Sequence, residues 1–158
     1  MPEDSPDADY ADPTDSGVEM GADTPAGGAY EWLQRAMGLL AQGNAAAAAT
    51  LLERVRREDP TSASVLEALA RAHYDAGHYE TARSAFTDLV DAAPDSDYAH
   101  FGLGLSLFRL GRVDDAEPHL ALAAVMRPGR SDYEQRLREV RATRAARRNG
   151  GADAGERS

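Results

Sequence analysis

Small and large apolar residues recur along the middle of the chain with a period of 34 residues. Three columns keep this period: Ala48, Ala82 and Ala116, then Leu52, Phe86 and Leu120, then Val55, Leu89 and Ala123. Within each unit they stand at i, i+4 and i+7, which is one face of an α-helix. We therefore predict three equivalent helices, each with a small residue at a close approach and a large residue one turn away.

Glycines and prolines bound these helices with the same period. Gly43, Gly77 and Gly111 precede the helices, and Pro60, Pro94 and Pro128 follow them. Glycine adopts a tight-turn backbone at little cost, and proline cannot continue the helical hydrogen-bond ladder. The helices before these glycines repeat as well, with Trp32, Leu66 and His100 at equivalent positions. Each unit is therefore predicted to be two helices joined by a glycine turn.

The repeat resembles the tetratricopeptide repeat (TPR), which has a period of 34 residues and a closing proline. The Leu103–Gly104 pair and the Ala-x3-Phe step from Ala82 to Phe86 match its pattern. The resemblance implies an all-α, right-handed solenoid of three helical hairpins at 29–62, 63–96 and 97–130. Arg35 and His73 depart from the family's Leu and Tyr, and His73 then needs a buried hydrogen-bond partner. Pro118 must remove at least one ladder bond from its helix.

Both ends of the chain differ from the repeats. Residues 1–28 carry eight carboxylates and no basic residue, so we predict a disordered acidic tail. Ser131 and Glu134 have capping-box spacing, and Tyr133, Leu137 and Val140 form an apolar stripe. We predict a C-terminal capping helix at 131–148, as the ends of solenoids require, followed by a disordered tail at 149–158.

Composition narrows the possible chemistry. The chain has no cysteine, so it has neither disulfides nor thiolate ligands. No apolar run reaches the roughly 18 residues of a transmembrane helix, and the N-terminus does not resemble a secretory signal. A cytoplasmic protein is expected. All 17 basic residues are arginine, which favours a bacterial genome rich in G and C.

Motifs for catalysis or cofactor binding are almost absent. Gly102 and Gly104 begin a G-x-G, but no third glycine follows at the spacing of a dinucleotide site. The four histidines have no metal-ligand spacing. His73 is predicted to be a core residue, and the others to lie in loops or at the surface. We predict no enzymatic activity, no cofactor and no metal.

The resemblance to the TPR family implies a concave groove lined by the first helix of each repeat. Its groove-facing offsets fall on Tyr30, Met37, Glu67, Arg71, Tyr74, Tyr98, Phe101, Leu105, Phe108 and Arg109, with Leu33, Leu40, Ser64 and Asp75 beside them. A role in the core between repeats stays open for Leu33, Leu40 and Leu105. The predicted function is a non-catalytic adaptor that binds an apolar or amphipathic segment of another protein.

The sequence leaves functions other than this adaptor open. The family's clamp for a C-terminal carboxylate uses Lys and Asn, but this chain has no Lys, and its Asn44 and Asn149 lie in a turn and in the tail. An Arg-rich last helix suggests a nucleic-acid-associated protein, although the net charge of −10 opposes phosphate binding. Self-assembly through the groove or the last helix is a further possibility. A weak contact of the acidic tail with the basic last helix or the groove rim is a separate hypothesis.

Overall fold

The computed structural model describes residues 27–157, and this part of the chain contains α-helices and no β-strand. Seven helices follow one another: α1 (Ala29–Ala41), α2 (Ala45–Glu58), α3 (Ala63–Asp75), α4 (Tyr79–Ala92), α5 (Asp97–Arg109), α6 (Val113–Met126) and α7 (Ser131–Arg157). Each packs against the next, and α1, α3 and α5 also contact one another in series. The protein is an all-α solenoid.

Local signals explain where the helices begin and turn. Gly43, Gly77 and Gly111 have φ of 80°, 83° and 81°, a backbone conformation that residues with a Cβ rarely adopt. They separate α1 from α2, α3 from α4, and α5 from α6. The side chains of Ser62 and Ser96 accept hydrogen bonds from the first turns of α3 and α5. The glycine turns and helix pairs lie where the periodic pattern predicted them.

The periodic columns form the core. Ala48, Ala82 and Ala116 have no exposed surface, and Leu52, Phe86 and Leu120 are at most 2% exposed. The third column, Val55, Leu89 and Ala123, is equally buried. The prediction that these three columns share a buried helix face is confirmed. Because every unit contributes the same columns, the core continues from one helix pair to the next.

Gly102 and Gly104 are explained by close packing between α5 and its neighbours. A Cβ built on Gly102 would lie 2.1 Å from Cε1 of Phe86, and one built on Gly104 would lie 2.6 Å from Cγ of Leu120. Neither contact is compatible with an ordinary carbon–carbon separation. The G-x-G of this segment therefore allows α5 to approach α4 and α6 closely.

The two departures from the family pattern have local explanations. His73 is buried, its Nε2 lies 3.1 Å from Oε1 of Glu53, and its Nδ1 lies 3.4 Å from Nδ1 of His78. The expected hydrogen-bond partner is thus present, but it is not buried, because the Glu53 side chain is 41% exposed and His78 is exposed as well. Arg35 is exposed on α1.

Pro118 does not interrupt its helix. It lies inside α6, which continues without a break from Val113 to Met126.

The expectation that His100 lies in a loop or at the surface was wrong. His100 is 7% exposed within α5, where its Nε2 lies 3.0 Å from the Pro94 carbonyl oxygen and its ring stacks on His119 at 6.2 Å. It occupies the column of Trp32 and Leu66, and this position buries it despite its polarity.

His119, which stacks on His100, is half-buried on α6. Burial lowers the pKa of His119, and the neighbouring His100 lowers it further, whereas Asp115 acts in the opposite direction.

The last helix is longer than predicted. Tyr133 and Val140 are buried and Leu137 is half-buried against α5 and α6, so the expected apolar stripe is present. However, α7 continues to Arg157, whereas the sequence pattern placed its end at 148 and a disordered tail at 149–158. No proline stands after residue 128, so nothing in this segment interrupts the helical ladder. The predicted acidic tail at 1–28 lies almost wholly outside the described residues.

Candidate partner-binding groove

A cavity of about 170 Å³ opens between α3 and α5. Five residues that the sequence assigned to the groove line it together: Arg71, Tyr74, Tyr98, Phe101 and Leu105. Asp75, Phe86 and Gly102 complete the lining. The walls are therefore mostly aromatic and aliphatic, and a charged pair stands among them. We call this cavity the groove pocket.

Helical periodicity explains why α5 presents these side chains to the pocket. Tyr98, Phe101 and Leu105 stand at i, i+3 and i+7, which is one helix face. All three are partly exposed, whereas Leu103 and Leu107 on another face are buried in the core. The α5 helix thus has one face for the hairpin and one for the groove. The two faces adjoin, because Tyr98, Phe101 and Leu105 line the pocket and also pack against the core cluster.

The second helix of the middle repeat forms one wall of the groove pocket. Phe86 on α4 is 2% exposed and meets Tyr98 edge to face, with ring centroids 5.9 Å apart. Its ring lies beside Gly102, where no side chain intervenes. Sequence reasoning assigned Phe86 to the core only. The missed signal was Gly102, since a glycine inside a helix often marks a close approach by a neighbour.

Burial controls the ionisation of the two tyrosines of the pocket. It raises the pKa of Tyr98 to about 12, with Arg71 opposing this effect and Glu67 and Asp75 adding to it. Burial also raises the pKa of Tyr74, although the charges of the nearby arginines oppose the shift. Both side chains are therefore neutral phenols over the physiological range. Each hydroxyl can donate one hydrogen bond and accept others.

Charged groups of both signs stand around the pocket. The Nε of Arg71 lies 3.6 Å from Oδ2 of Asp75, a long separation for an ion pair. Arg109 places its guanidinium 4.7 Å from the ring centroid of Tyr79 and donates a hydrogen bond to the Tyr79 hydroxyl. Tyr79 in turn packs edge to face against Tyr74 at 5.2 Å. Tyr79 was not predicted, because it lies on α4 while the family's offsets fall on first helices.

The C-terminal helix closes one end of the groove. The Tyr133 ring stacks on Phe101 with centroids 4.2 Å apart, and the Tyr133 hydroxyl donates to Oδ2 of Asp97 at 2.7 Å. Arg130 covers the Tyr133 ring at 4.5 Å, and Arg127 pairs with Asp97. One face of Phe101 is thus held by α7. Phe101 is a fixed wall between the pocket and the cap.

The other predicted groove residues lie outside the pocket. Tyr30 and Met37 on α1 are 70% and 38% exposed, and Glu67 on α3 is exposed. Phe108 is partly buried against the core cluster near the end of α5. Of the residues for which a core role stayed open, Leu40 is buried in a second core cluster, which α1, α2 and α3 form, and Leu33 packs partly buried against that cluster.

Most arginines near the C-terminus already have partners in the folded part. Arg136, Arg141 and Arg144 contact carboxylate oxygens at 2.8, 3.0 and 2.8 Å, respectively. Arg130 pairs with a carboxylate at 2.7 Å, and Arg147 donates to the Gly111 carbonyl oxygen at 2.8 Å. Their charge is thus largely balanced within the domain, which leaves less of it for phosphate groups.

The described residues contain neither a metal-binding cluster of three side chains nor a helix that could cross a membrane. Between residues 27 and 157, no three His, Cys, Asp or Glu side chains are grouped so that they would hold a metal ion. No helix in the same range has the length and apolar character needed to span a bilayer.

Comparison with protein families identifies the same repeat as the helix packing does. Two family models, both described as tetratricopeptide repeat, match residues 31–72 and 67–132. The chain belongs to the tetratricopeptide repeat family. No curated protein sequence matches it significantly.

Several solved structures share the fold at low sequence identity. The first TPR of Spaghetti (RPAP3), bound to an HSP90 peptide, is 17% identical, covering 74% of this chain and 93% of its own, with a TM-score of 0.71. MamA from Desulfovibrio magneticus RS-1 is 17% identical, covering 81% of this chain and 72% of its own, with a TM-score of 0.72. An O-GlcNAc transferase of Thermobaculum terrenum is 23% identical over 71% of this chain and 22% of its own, with a TM-score of 0.65. At these identities the likeness concerns the fold alone.

Proposed function

We propose that this TPR protein is a non-catalytic adaptor whose concave groove binds an apolar or amphipathic segment of another protein. The observation that carries the proposal is the groove pocket, where Tyr74, Tyr98, Phe101 and Leu105 leave a cavity of about 170 Å³ open between two first helices. Aromatic residues and arginine are enriched at the centres of protein interfaces. The pocket offers both.

The size of the pocket indicates what it accepts. An engineered protein cavity of about 150 Å³ binds benzene, so about 170 Å³ suits one aromatic ring or one branched aliphatic side chain. Arg71 and Asp75 at its margin provide polar contacts for the backbone or for charged neighbours of that anchor. We infer that the partner segment inserts a single large apolar residue.

A peptide partner also agrees with one structure that shares this fold, the first TPR of Spaghetti (RPAP3), which carries an HSP90 peptide. Recognition of a C-terminal carboxylate through the family's Lys and Asn is not part of our proposal. The chain has no Lys, Asn44 lies at the turn before α2, and Asn149 lies on α7. An internal segment anchored by its side chain fits the groove better than a chain end.

The adaptor is favoured over a nucleic-acid-associated protein. Phosphate binding needs basic groups that can exchange counterions. Three arginines of α7 contact carboxylates of the same domain: Arg136 with Glu139, Arg141 with Glu117 and Arg144 with Asp114. Within residues 27–157, the exposed large apolar residues outside the groove pocket are Tyr30 and Met37 on α1 and Leu122 and Val125 on α6. They do not indicate a surface for self-assembly, because nothing shows what would cover them.

A peptide-display selection against the full chain tests the proposal. We expect enrichment of segments with one aromatic or large aliphatic residue, and loss of binding by about 2 kcal/mol when the pocket is altered by Leu105→Ala or Tyr98→Ala. Val125→Ala is the matched control, since Val125 is 74% exposed and lies on α6, outside the pocket. Circular dichroism shows whether each variant remains folded.

Two outcomes would count against a binding groove. One is that no peptide family is enriched. The other is that binding falls only in proportion to stability, so that Tyr98→Ala and Leu105→Ala lose affinity just because they unfold. In that case the aromatic residues are core residues, and the adaptor function would lie on another surface.

A further inference from the structure

We propose that His73 and His78 together bind a divalent transition-metal ion, with Zn²⁺ as the representative ion. The two imidazole rings supply two ligands from a single turn, and water molecules complete the coordination. The site lies at the turn between α3 and α4, and neither histidine lines the groove pocket. The proposal therefore does not depend on the adaptor function.

The backbone of the glycine turn brings the two histidines together. His78 donates its backbone N–H to the His73 carbonyl oxygen at 2.8 Å, and Gly77 between them has φ of 83°. The same hydrogen bond closes the equivalent turns of the other repeats, from Asn44 to Leu39 and from Arg112 to Leu107. Only the middle repeat has an imidazole at both positions. Residues five apart do not share a helix face, so the sequence spacing gave no indication of this pair.

The two ring nitrogens have the separation of a metal chelate. Nδ1 of His73 lies 3.4 Å from Nδ1 of His78. This distance exceeds the roughly 2.7–3.2 Å of a good hydrogen bond from an N–H group. By contrast, two nitrogens that each lie about 2.0–2.1 Å from a tetrahedral Zn²⁺ are about 3.3–3.4 Å apart. A bound ion would thus need little movement of either ring.

The orientation of the rings is also compatible with chelation. The ring centroids of His73 and His78 lie 5.6 Å apart, which is 5.6 − 3.4 = 2.2 Å more than the separation of the two Nδ1 atoms. Both Nδ1 atoms therefore point into the space between the rings. The rings are tilted by 46° and do not stack face to face. The space between the two nitrogens is where an ion would lie.

Glu53 prepares His73 as a ligand. Its Oε1 lies 3.1 Å from Nε2 of His73. An ionised carboxylate only accepts hydrogen bonds, so Nε2 carries the hydrogen of the neutral ring and Nδ1 keeps its lone pair. Histidines that bind metals usually donate their other N–H group to a carboxylate or a carbonyl oxygen, which fixes the ring and makes it a better ligand. Since Glu53 lies on α2, it also links the site to the preceding repeat.

The exposure of the two histidines determines what kind of site this is. His73 is 8% exposed, whereas His78 is exposed, so water can reach the ion from one side. The acidic residues nearest in sequence already pair with arginines, Asp75 with Arg71 and Glu80 with Arg83. Structural zinc sites use four protein ligands. With two protein ligands, this site should hold an exchangeable ion that the fold does not require.

Titration of the full chain with ZnCl₂, followed by NMR of the histidine ring nitrogens, tests the site. We expect Zn²⁺ to shift the Nδ1 signals of His73 and His78 together, while Nε2 of His73 keeps its hydrogen. The ring signals of His100 and His119 should not move at the same ZnCl₂ concentration, because those two rings stack by their faces. A rise in Tm with ZnCl₂ should accompany the shifts, since the ion binds the folded turn.

The other repeats supply variants that keep the turn intact. His73→Leu introduces the residue found at the equivalent positions 39 and 107, and His78→Asn introduces the residue found at position 44. Glu53→Gln should weaken Zn²⁺ binding by about tenfold, and the loss of either ligand should weaken it further. His119→Ala is the matched control and should bind Zn²⁺ as the wild type does. Circular dichroism shows whether each variant is folded.

Four results would overturn the proposal. If Zn²⁺ shifts neither ring, the pair is only a hydrogen-bonded turn. A shift of His78 that persists in His73→Leu would show binding through one imidazole. Binding that survives both ligand variants would place the ion elsewhere, for example on the carboxylates of residues 1–26. A dimer that forms only with Zn²⁺, seen by analytical ultracentrifugation, would mean that two copies share the ion. None of these results would bear on peptide binding in the groove pocket.

Discussion

Replacing Gly102 by alanine tests the packing of the groove wall directly. A Cβ at this position would lie 2.1, 2.2 and 2.6 Å from three ring carbons of Phe86, so the ring would have to move by more than 1 Å. Phe86 is 2% exposed and has little room to move. Overpacking of this kind costs about 1–3 kcal/mol, while the helix gains about 1 kcal/mol from alanine. We expect a net loss of up to about 2 kcal/mol in the free energy of unfolding.

Gly38→Ala is the matched control. Gly38 also lies inside a helix, but a Cβ built on it meets nothing within 4 Å. The same substitution should therefore stabilise the protein by about 0.5–1 kcal/mol. At roughly 4 °C per kcal/mol, Gly102→Ala should melt about 2–12 °C below Gly38→Ala, a difference that circular dichroism at 222 nm resolves.

A double-mutant cycle identifies the clash itself. Phe86→Leu removes the ring that the new Cβ would strike, so Gly102→Ala should cost about 1 kcal/mol less in that background. If Gly102→Ala raises Tm as much as Gly38→Ala does, the close approach of α4 and α5 is wrong. An additive cycle would mean that the cost arises elsewhere.

Three further perturbations follow from the core and the cap. Ala82→Leu should cost about 1–3 kcal/mol by overpacking a residue with no exposed surface, whereas Ala121→Leu, off that column, should cost less, as urea unfolding will show. Pro118→Ala restores a ladder donor inside α6 and should raise Tm, and an unchanged or lower Tm would contradict this. Tyr133→Phe removes the hydrogen bond to Asp97 and should cost about 1 kcal/mol, whereas equal stability would show that this bond contributes nothing. Burial raises the pKa of Asp97, but the hydrogen bond from Tyr133 and the charge of Arg127 outweigh burial, so the pKa is lowered overall. The ionised Asp97 therefore stabilises the fold fully above about pH 3.9, and this stabilisation is lost as the pH falls further. A wild-type advantage over Asp97→Asn that does not shrink between pH 6 and pH 3 would contradict this.

Part of the lining of the groove could be predicted from the sequence. The family's offsets placed Arg71 and Tyr74 on α3, and Tyr98, Phe101 and Leu105 on α5, and these five residues line one pocket. Such offsets succeed because each first helix presents the same face to the groove in every repeat. They missed Phe86 and Tyr79, which lie on a second helix and come near the groove only through contacts between repeats.

The sequence by itself determined the helix pairs, the glycine turns and the buried columns, because these depend on helical periodicity and on the local backbone preferences of glycine and proline. Only the tertiary structure decided how these pieces meet. The stacking of Tyr133 on Phe101 and the burial of His100 depend on the angle and separation of packed helices, which no local preference specifies. The pocket has the same origin, since its walls come from three helices and its volume is the space that their packing leaves open.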